Sequence, residues 1–352
     1  MEVVFFILSN VNHLNETPVI RSVQSLAVFL EIRTDELSWL CHFLRSDEEA
    51  TAYKHYQHRW LQKRSRGWRL IESPKPLLKY VQRKILSGIL NHMPPHPLAC
   101  GFAPGKSVLD HLKPHVGRPV QLKMDLSHFF SHITIGRVHG MFRAAGFSRD
   151  VSHRLAMLTT VATPRNLLEL HGLTHFRELQ SPQRQLLAKR HLPQGAPTSP
   201  AIANLCAFRL DQRLSGLARS LGGVHYTRYA DDLLFSGNRS FRHQANRLSS
   251  LVGAIAIEEG FELNFRKTKT MDRHQRQSAC GVVLNSKMNI ERREYDRLKA
   301  ILHNCVKHGL KSQNRNEHAN YREHLLGKIA WVTTLNPSKG EKLKTVFMKI
   351  KT

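Results

Sequence analysis

Two acidic residues stand side by side at Asp231 and Asp232, within Tyr229-Ala230-Asp231-Asp232. Apolar, β-prone stretches flank them, Val224-His225-Tyr226 before and Leu233-Leu234-Phe235 after, so the pair is expected at a hairpin turn. Adjacent carboxylates repel and are costly unless cations lie against them; a solvated Asp-Asp turn has the same composition. A third carboxylate, Asp125, closes an apolar stretch in Lys123-Met124-Asp125-Leu126-Ser127-His128-Phe129-Phe130. Strand ends are where sheet proteins place metal-binding carboxylates. Asp125, Asp231 and Asp232 together could hold two Mg²⁺ roughly 3.5–4 Å apart, the arrangement that stabilises both oxygens of an in-line displacement. Mg²⁺ suits this because it takes oxygen ligands and keeps positions open for substrate phosphates.

The elements that must position these residues can be read in outline. Residues 119–125 read as a strand ending on Asp125, and 224–237 as two short strands about a tight turn. Helices are expected over 20–50, with Thr34 as an N-cap and Asp35 and Glu36 in the first turn. Further helices are expected over 74–93 behind Pro74 and Pro76, over most of 136–190, over 199–220 and over 247–261, with short strands to 285. The tail, 286–352, reads as helical and holds fifteen Lys/Arg against six acids. Trp331 in that tail is expected in the core, with base stacking the lesser reading. Such an alternation suggests an α+β sheet domain with helical additions.

The 352 residues, 41 % hydrophobic, suffice for a sizeable core in one intertwined multi-lobed unit. With 53 Lys+Arg against 27 Asp+Glu the formal net charge is +26. A charge so large calls for a polyanionic partner, nucleic acid before an anionic membrane surface. The five cysteines show no C-x-x-C pair, which argues against a zinc ribbon or disulfide framework and fits a reducing cytoplasm. Val3-Val4-Phe5-Phe6-Ile7-Leu8 is too short to span a bilayer and lacks the basic flank of a signal peptide. Gly101-x-x-x-Gly105-Lys106-Ser107 has three residues between its glycines where a phosphate loop needs four. His111-x-x-x-His115 is interrupted by Pro114, which spoils a helical zinc pair.

Several blocks, in order, resemble reverse transcriptases. Tyr229–Asp232 resembles the family's Y-x-D-D box and Lys123–Phe130 its first catalytic aspartate segment. Leu192-Pro193-Gln194-Gly195-Ala196-Pro197-Thr198-Ser199-Pro200 with Asn204-Leu205 resembles the Q-G-x-x-x-S-P…N-L segment. Gly260-Phe261-x-x-Asn264 with Lys267-Thr268-Lys269, then Cys280-Gly281-Val282-Val283-Leu284-Asn285, resemble the next two blocks. Upstream, Trp68-Arg69-Leu70-Ile71-x-x-Pro74, Leu78 and Gln82-Arg83-x-Ile85-Leu86 resemble the fingers segment. The blocks cover residues 60–350.

The resemblance implies a right-hand polymerase with an antiparallel palm sheet and helical fingers and thumb. Its parts would be an N-terminal helical extension (1–50), fingers (51–115 and 136–190), palm (116–135 and 191–285) and thumb (286–352). It implies that Asp125 and Asp231 ligate the metals, that Leu126 adds a backbone carbonyl, and that Asp232 positions the metal on the primer side. Arg69, with Lys63 the weaker candidate, would bind the incoming dNTP. Phe130 rather than Phe129 would fill the space of a ribose 2′-hydroxyl, and Gln194 and Gly195 would meet the nucleotide or template. Lys267, Lys269, Tyr229 and His115 would contact nucleic acid.

The sequence ends after the thumb, so an RNase H, integrase or endonuclease module is not expected, and the compact bacterial retron enzymes are the best match. Gly101-Phe102-x-x-Gly105-Lys106-Ser107-Val108 through Pro114-His115-Val116-Gly117 resembles the segment holding the retron N-A-x-x-H element, with His111 and Leu112 in place of its Asn and Ala. Ala279-Cys280-Gly281 lies where retrons often read V-T-G. A retron enzyme would use a structured non-coding RNA as template, prime from a guanosine 2′-hydroxyl, give a branched RNA–DNA product, and serve anti-phage defence with a separate effector protein. The alternatives are another bacterial defence reverse transcriptase without a branched product, and a catalytically idle RNA-binding scaffold. The sequence does not fix the oligomeric state.

Overall fold

The computed structural model describes residues 20–41, 55–63, 68–164, 167–168 and 181–350. Two short helices open it, α1 (Val23–Leu30) and α2 (Thr34–Cys41). Ser22 and Ser25 cap α1 reciprocally. Thr34 is the first residue of α2 rather than its cap, with Asp35 and Glu36 in the first turn. The rest of the expected 20–50 helical stretch, and the apolar run at residues 3–8, lie outside the described residues.

An antiparallel ribbon follows, β1 (Tyr56–Gln62) against β2 (Trp68–Pro74). It leads into α3 (Pro76–Gly88), whose fixed proline φ suits the first helical position. Leu78, Val81, Gln82 and Ile85 form the buried stripe of α3 at helical spacing. The short α4 (Val108–Leu112) is closed by a box between Ser107 and Asp110.

β3 (Val120–Ser127) is the central strand of the main sheet and runs two residues beyond Asp125. Behind it come α5 (Ile135–Ala144), α6 (Arg149–Thr159), α7 (Ser181–Ala188), α8 (Ser199–Cys206) and α9 (Phe208–Ser220). The single helix expected over 199–220 is therefore two, broken at the fully buried Ala207 (φ −91°, ψ 5°). No Gly or Pro marks that break. Packing sets it, because the turn lets α8 lie on α5 while α9 lies along the next strand.

That strand is β4 (His225–Tyr229), joined by a two-residue turn to β5 (Asp232–Gly237). After α10 (Phe241–Glu258), which starts six residues earlier than expected, come β6 (Glu262–Leu263) and β7 (Lys269–Asp272). The five strands are antiparallel in the order β4-β5-β3, with β6 and β7 sharing the far edge of β3. β8 (Ser278–Ala279), β9 (Val282–Val283) and β10 (Asn289–Ile290) make a separate small sheet.

Three helices complete the chain, α11 (Arg292–His308), α12 (Tyr321–Leu335) and α13 (Pro337–Phe347). They enclose a core of their own, which includes Leu302, Cys305, Leu325, Val332, Leu343 and Phe347. Trp331 is not part of it; its side of α12 faces solvent and it stays 37 % exposed, because Leu325, Ile329 and Val332 already fill the inward stripe. A smaller cluster of Leu112, Leu234, Val282, Leu284 and Leu335 joins the helical tail to the sheet. Among the described residues no helix is long and apolar enough to cross a membrane.

Candidate active site

The three aspartates meet at one end of the main sheet. Asp125 is directly opposite Asp232 in the β3–β5 ladder, and the N–H of Leu126 donates to the carbonyl of Asp231 at 2.9 Å. Asp125 is nearly buried, at 7 % exposure. The Asp231 carboxyl is raised above its ordinary range, by burial first and then by the charges of Asp125 and Asp232. Such crowding of oxygen donors is relieved by a hard divalent cation, which the donor set fits.

The charge is meanwhile met from inside the chain. Lys267 donates to both carboxylate oxygens of Asp125 at 2.9 Å, and Lys123 pairs with Asp232 at 3.1 Å. With the two outer carboxylates drawn onto lysines, no three His, Cys, Asp or Glu side chains among the described residues close around a common point. A metal site here would form by the carboxylates leaving their lysines. Lys267 was expected at a nucleic-acid phosphate and instead sits on Asp125; Lys269 is exposed on β7, in register with Lys123.

The turn that presents Asp231 is held from behind. Ala230 lies in the left-handed region (φ 55°), which costs a non-glycine residue on the order of 1–2 kcal/mol. Its carbonyl accepts a 3.0 Å hydrogen bond from Arg228, a fully buried guanidinium. Arg228 is paired bidentately with the equally buried Asp211 of α9, at 2.8 and 2.6 Å, and also donates to Asn204. Asn204 in turn donates to the carbonyl of Gly101 at 2.7 Å. Gly101 is pressed onto the turn so closely that a Cβ there would stand 2.6 Å from the Ala230 nitrogen. The Arg228–Asp211 pair was not foreseen. The sign of it in the sequence was an arginine inside a short β-prone stretch, His225-Tyr226-Thr227-Arg228-Tyr229, just before the acidic pair.

The nucleotide-side candidates gather on the other wall. The β2 strand carrying Arg69 is tied to the Gln194–Gly195 turn, since the Glu72 N–H donates to the Gln194 carbonyl at 2.9 Å. Gly195 has φ +132°, and a Cβ there would meet Ile71 at 3.1 Å and the Glu72 carbonyl at 3.2 Å, so both conformation and space require glycine. Below this junction Glu72 and His191 form a buried ion pair at 2.9 Å, with Thr163 donating to Glu72 at 2.8 Å. Burial alone would raise the Glu72 carboxyl, but the His191 charge and the bonds from His191, His58 and Thr163 hold it down at about 2. Arg69 is exposed. Lys63 lies within the field of the site: burial and the charges of Arg69 and Lys267 lower its ammonium, while Asp125 and Asp231 pull the other way.

Phe129 is core, its ring tilted 31° against that of Phe261 with centroids 5.4 Å apart, whereas Phe130 is half-buried. Phe130 and Tyr229 both touch the ring of Phe102, at 6.4 and 6.3 Å between centroids. Phe102 is 47 % exposed and in the left-handed region (φ 60°), a third aromatic that sequence reasoning did not single out. His115 corrects an expectation. It has no exposed surface and bonds Ser236 at 2.7 Å and Thr227 at 2.8 Å, so it braces β4 and β5 from beneath rather than facing nucleic acid. Burial, reinforced by His111, keeps it neutral by lowering its imidazole well below the usual range.

A family profile described as reverse transcriptase (RNA-dependent DNA polymerase) matches residues 61–284. The chain is 41 % identical over 290 residues to the retron Mx65 reverse transcriptase of Myxococcus xanthus, across 82 % of this chain and 64 % of that one. It is 35 % identical over 334 residues to the retron Mx162 reverse transcriptase of the same organism, across 91 % and 65 %. To the retron Ec86 reverse transcriptase of Escherichia coli it is 29 % identical over 285 residues, across 80 % and 76 %. The alignments thus span a little under two thirds of the length of the two Myxococcus proteins.

Proposed function

From the premise that this chain belongs to the reverse transcriptase family and has its right-hand polymerase architecture, we propose that it is an RNA-directed DNA polymerase of the retron kind, copying part of a structured non-coding RNA into single-stranded DNA. The observation that carries the reading is the meeting of Asp125, Asp231 and Asp232 at one end of the sheet, within the electrostatic reach of Lys63 and beside Arg69.

Two Mg²⁺ would be held by the carboxylates of Asp125, Asp231 and Asp232 and the carbonyl of Leu126. When bound they supply stabilisation of the attacking and leaving oxygens. The remaining work falls to the chain's own side chains. Arg69 and Lys63 draw in the triphosphate of a dNTP and counter the charge that develops on the leaving pyrophosphate. Phe130, backed by the rigid Phe129, occupies the space a ribose 2′-hydroxyl would need. The Gln194–Gly195 turn lets the backbone approach the nucleotide or template closely. Tyr229 and the exposed Lys269 face the nucleic acid, and Lys267 joins them once it leaves Asp125. In this reading the fingers are built on β1–β2 and helices α3, α5, α6 and α7, the palm on the main sheet, and the thumb on α11–α13.

Priming from a guanosine 2′-hydroxyl, a branched product, a separate effector protein and a role in anti-phage defence, in the cytoplasm, complete the proposal. Their support is the likeness to retron enzymes. The test is to purify the protein from cells carrying its native flanking DNA and to sequence the nucleic acid bound to it. A short DNA joined through a 2′–5′ branch to one structured RNA is the expected result. Unbranched or homopolymeric DNA would instead make it a defence reverse transcriptase of another kind, and RNA without DNA would make it a binding scaffold.

A further inference from the structure

Helix α12 carries Tyr321, His324, Lys328 and Trp331 along one side, at the three- and four-residue steps that align side chains on a helix. The series runs for about 15 Å at helical rise. Its rings are arranged. His318, from the loop just before the helix, stacks on His324 with centroids 4.5 Å apart and planes 17° from parallel. Tyr321 lies nearly parallel to both, at 9° and 19°. The loop is pinned in this shape, since His318 donates its N–H to the Asn314 side chain at 2.9 Å and Asn314 donates back to the His318 carbonyl at 2.9 Å. The Tyr321 hydroxyl donates to the Gln313 carbonyl at 3.0 Å. Lys328 stands close enough to His324 to depress its imidazole, after burial. His318 and Lys328 are exposed, and Trp331 is 37 % exposed.

Tyr321 is half-buried and packs against the core of the helical tail, which fixes one member of the stack, whereas His318, His324 and Trp331 lie outside that core, whose buried contacts from α12 are Leu325, Ile329 and Val332. Rings interleaved with a cation fit a ligand that is flat, apolar on its faces and anionic along its backbone. Unpaired nucleobases meet that description, because every base has a face to stack and each carries a phosphate. A closed duplex does not, since its bases are already stacked on each other.

We propose that the His318–Tyr321–His324 stack and Trp331 form a platform for unpaired bases of RNA, with Lys328 on the phosphates between them. This deepens the reading of the helical tail as a thumb on RNA and rests on it. The platform would favour RNA with a looped or single-stranded segment over plain duplex, something the net charge alone cannot do.

The test uses the full-length protein and two RNA probes with the same stem, one closed by an unpaired loop carrying 2-aminopurine and one blunt. Wild type should bind the looped RNA more tightly and quench its fluorophore. The double variant His324→Ala, Trp331→Ala should lose at least about five- to a hundredfold in affinity for the looped RNA, the range of a single lost stacking contact, and leave blunt-duplex binding unchanged. Replacement by phenylalanine (H324F, W331F) should restore the preference, which a merely structural lesion would not allow. Lys328→Gln should weaken both RNAs alike. If the alanine variant keeps the wild-type ratio between the two probes, the platform is wrong. Primer extension by wild type on an ordinary RNA template separates the two levels: its absence would overturn the polymerase reading, whereas an unchanged probe ratio with normal extension overturns the platform alone.

Discussion

At the residue scale the carboxylates divide the labour of binding and chemistry. Asp231→Asn removes a charge that the metal ions need but no contact of the fold, so primer extension should vanish while RNA affinity stays within a fewfold of wild type. Normal extension by this variant would undo the metal assignment. Phe130→Ala should open the space beside Phe102 and Tyr229 and let ribonucleotides be incorporated; unchanged discrimination in a paired dNTP and rNTP extension assay would return Phe130 to the core. The three aspartates were legible because chemistry restricts residue type: charged oxygen donors suit hard cations, and the hairpin signal placed two of them. It hid the roles of Lys267 and His115 because both depend on partners more than a hundred positions away, Asp125 for one and Ser236 and Thr227 for the other.

Elements are where the site acquires its rigidity. Asp211→Ala would leave Arg228 buried without its counter-charge, and such broken pairs cost about 3–5 kcal/mol. Chemical denaturation should show a loss of that order, and the catalytic turn, deprived of a firm bond to the Ala230 carbonyl, should lose activity ahead of global unfolding. The junction of β2 with the Gln194–Gly195 turn answers to pH. The Glu72 carboxyl is lowered from 4.5 to about 2, so its contribution is present above pH 4.5 and fades as pH falls toward 2. The His191 imidazole is raised from 6.5, against burial, by Glu72, so its contribution is full below pH 6.5 and fades as pH rises past its folded value. The melting-temperature gap between wild type and Glu72→Gln should therefore be widest between pH 4.5 and 6.5 and narrow on both sides. A gap that stays flat would mean the pair does not titrate with folding. The central strands of the main sheet and most helices followed from periodicity and proline placement; the β1–β2 ribbon did not, because its strands mix Arg, His, Gln and Trp without a clean apolar alternation. The break at Ala207 did not, since it answers to what α8 and α9 each pack upon and not to any local breaker.

The whole molecule is a strongly basic body with an acidic centre. A net charge of +26 predicts that RNA affinity falls steeply with salt, by roughly a thousandfold or more between about 50 and 200 mM if about six phosphates are engaged. A change below tenfold would show that the charge is not spent on RNA. Within this body, Gly101 lies backbone on backbone against the Ala230–Asp231 turn, two distant stretches of chain in close approach. There is no allowance for even one methyl group, and neither side can retreat: the turn is fastened through Arg228 and Asn204, and residues 98–100 are hydrogen-bonded to β4. For anyone diversifying this chain by random mutagenesis, position 101 is thus a forbidden site that performs no chemistry. Libraries should return it unchanged as stubbornly as the aspartates, and efforts to widen substrate scope are better aimed at Phe102 next door, whose ring faces open solvent.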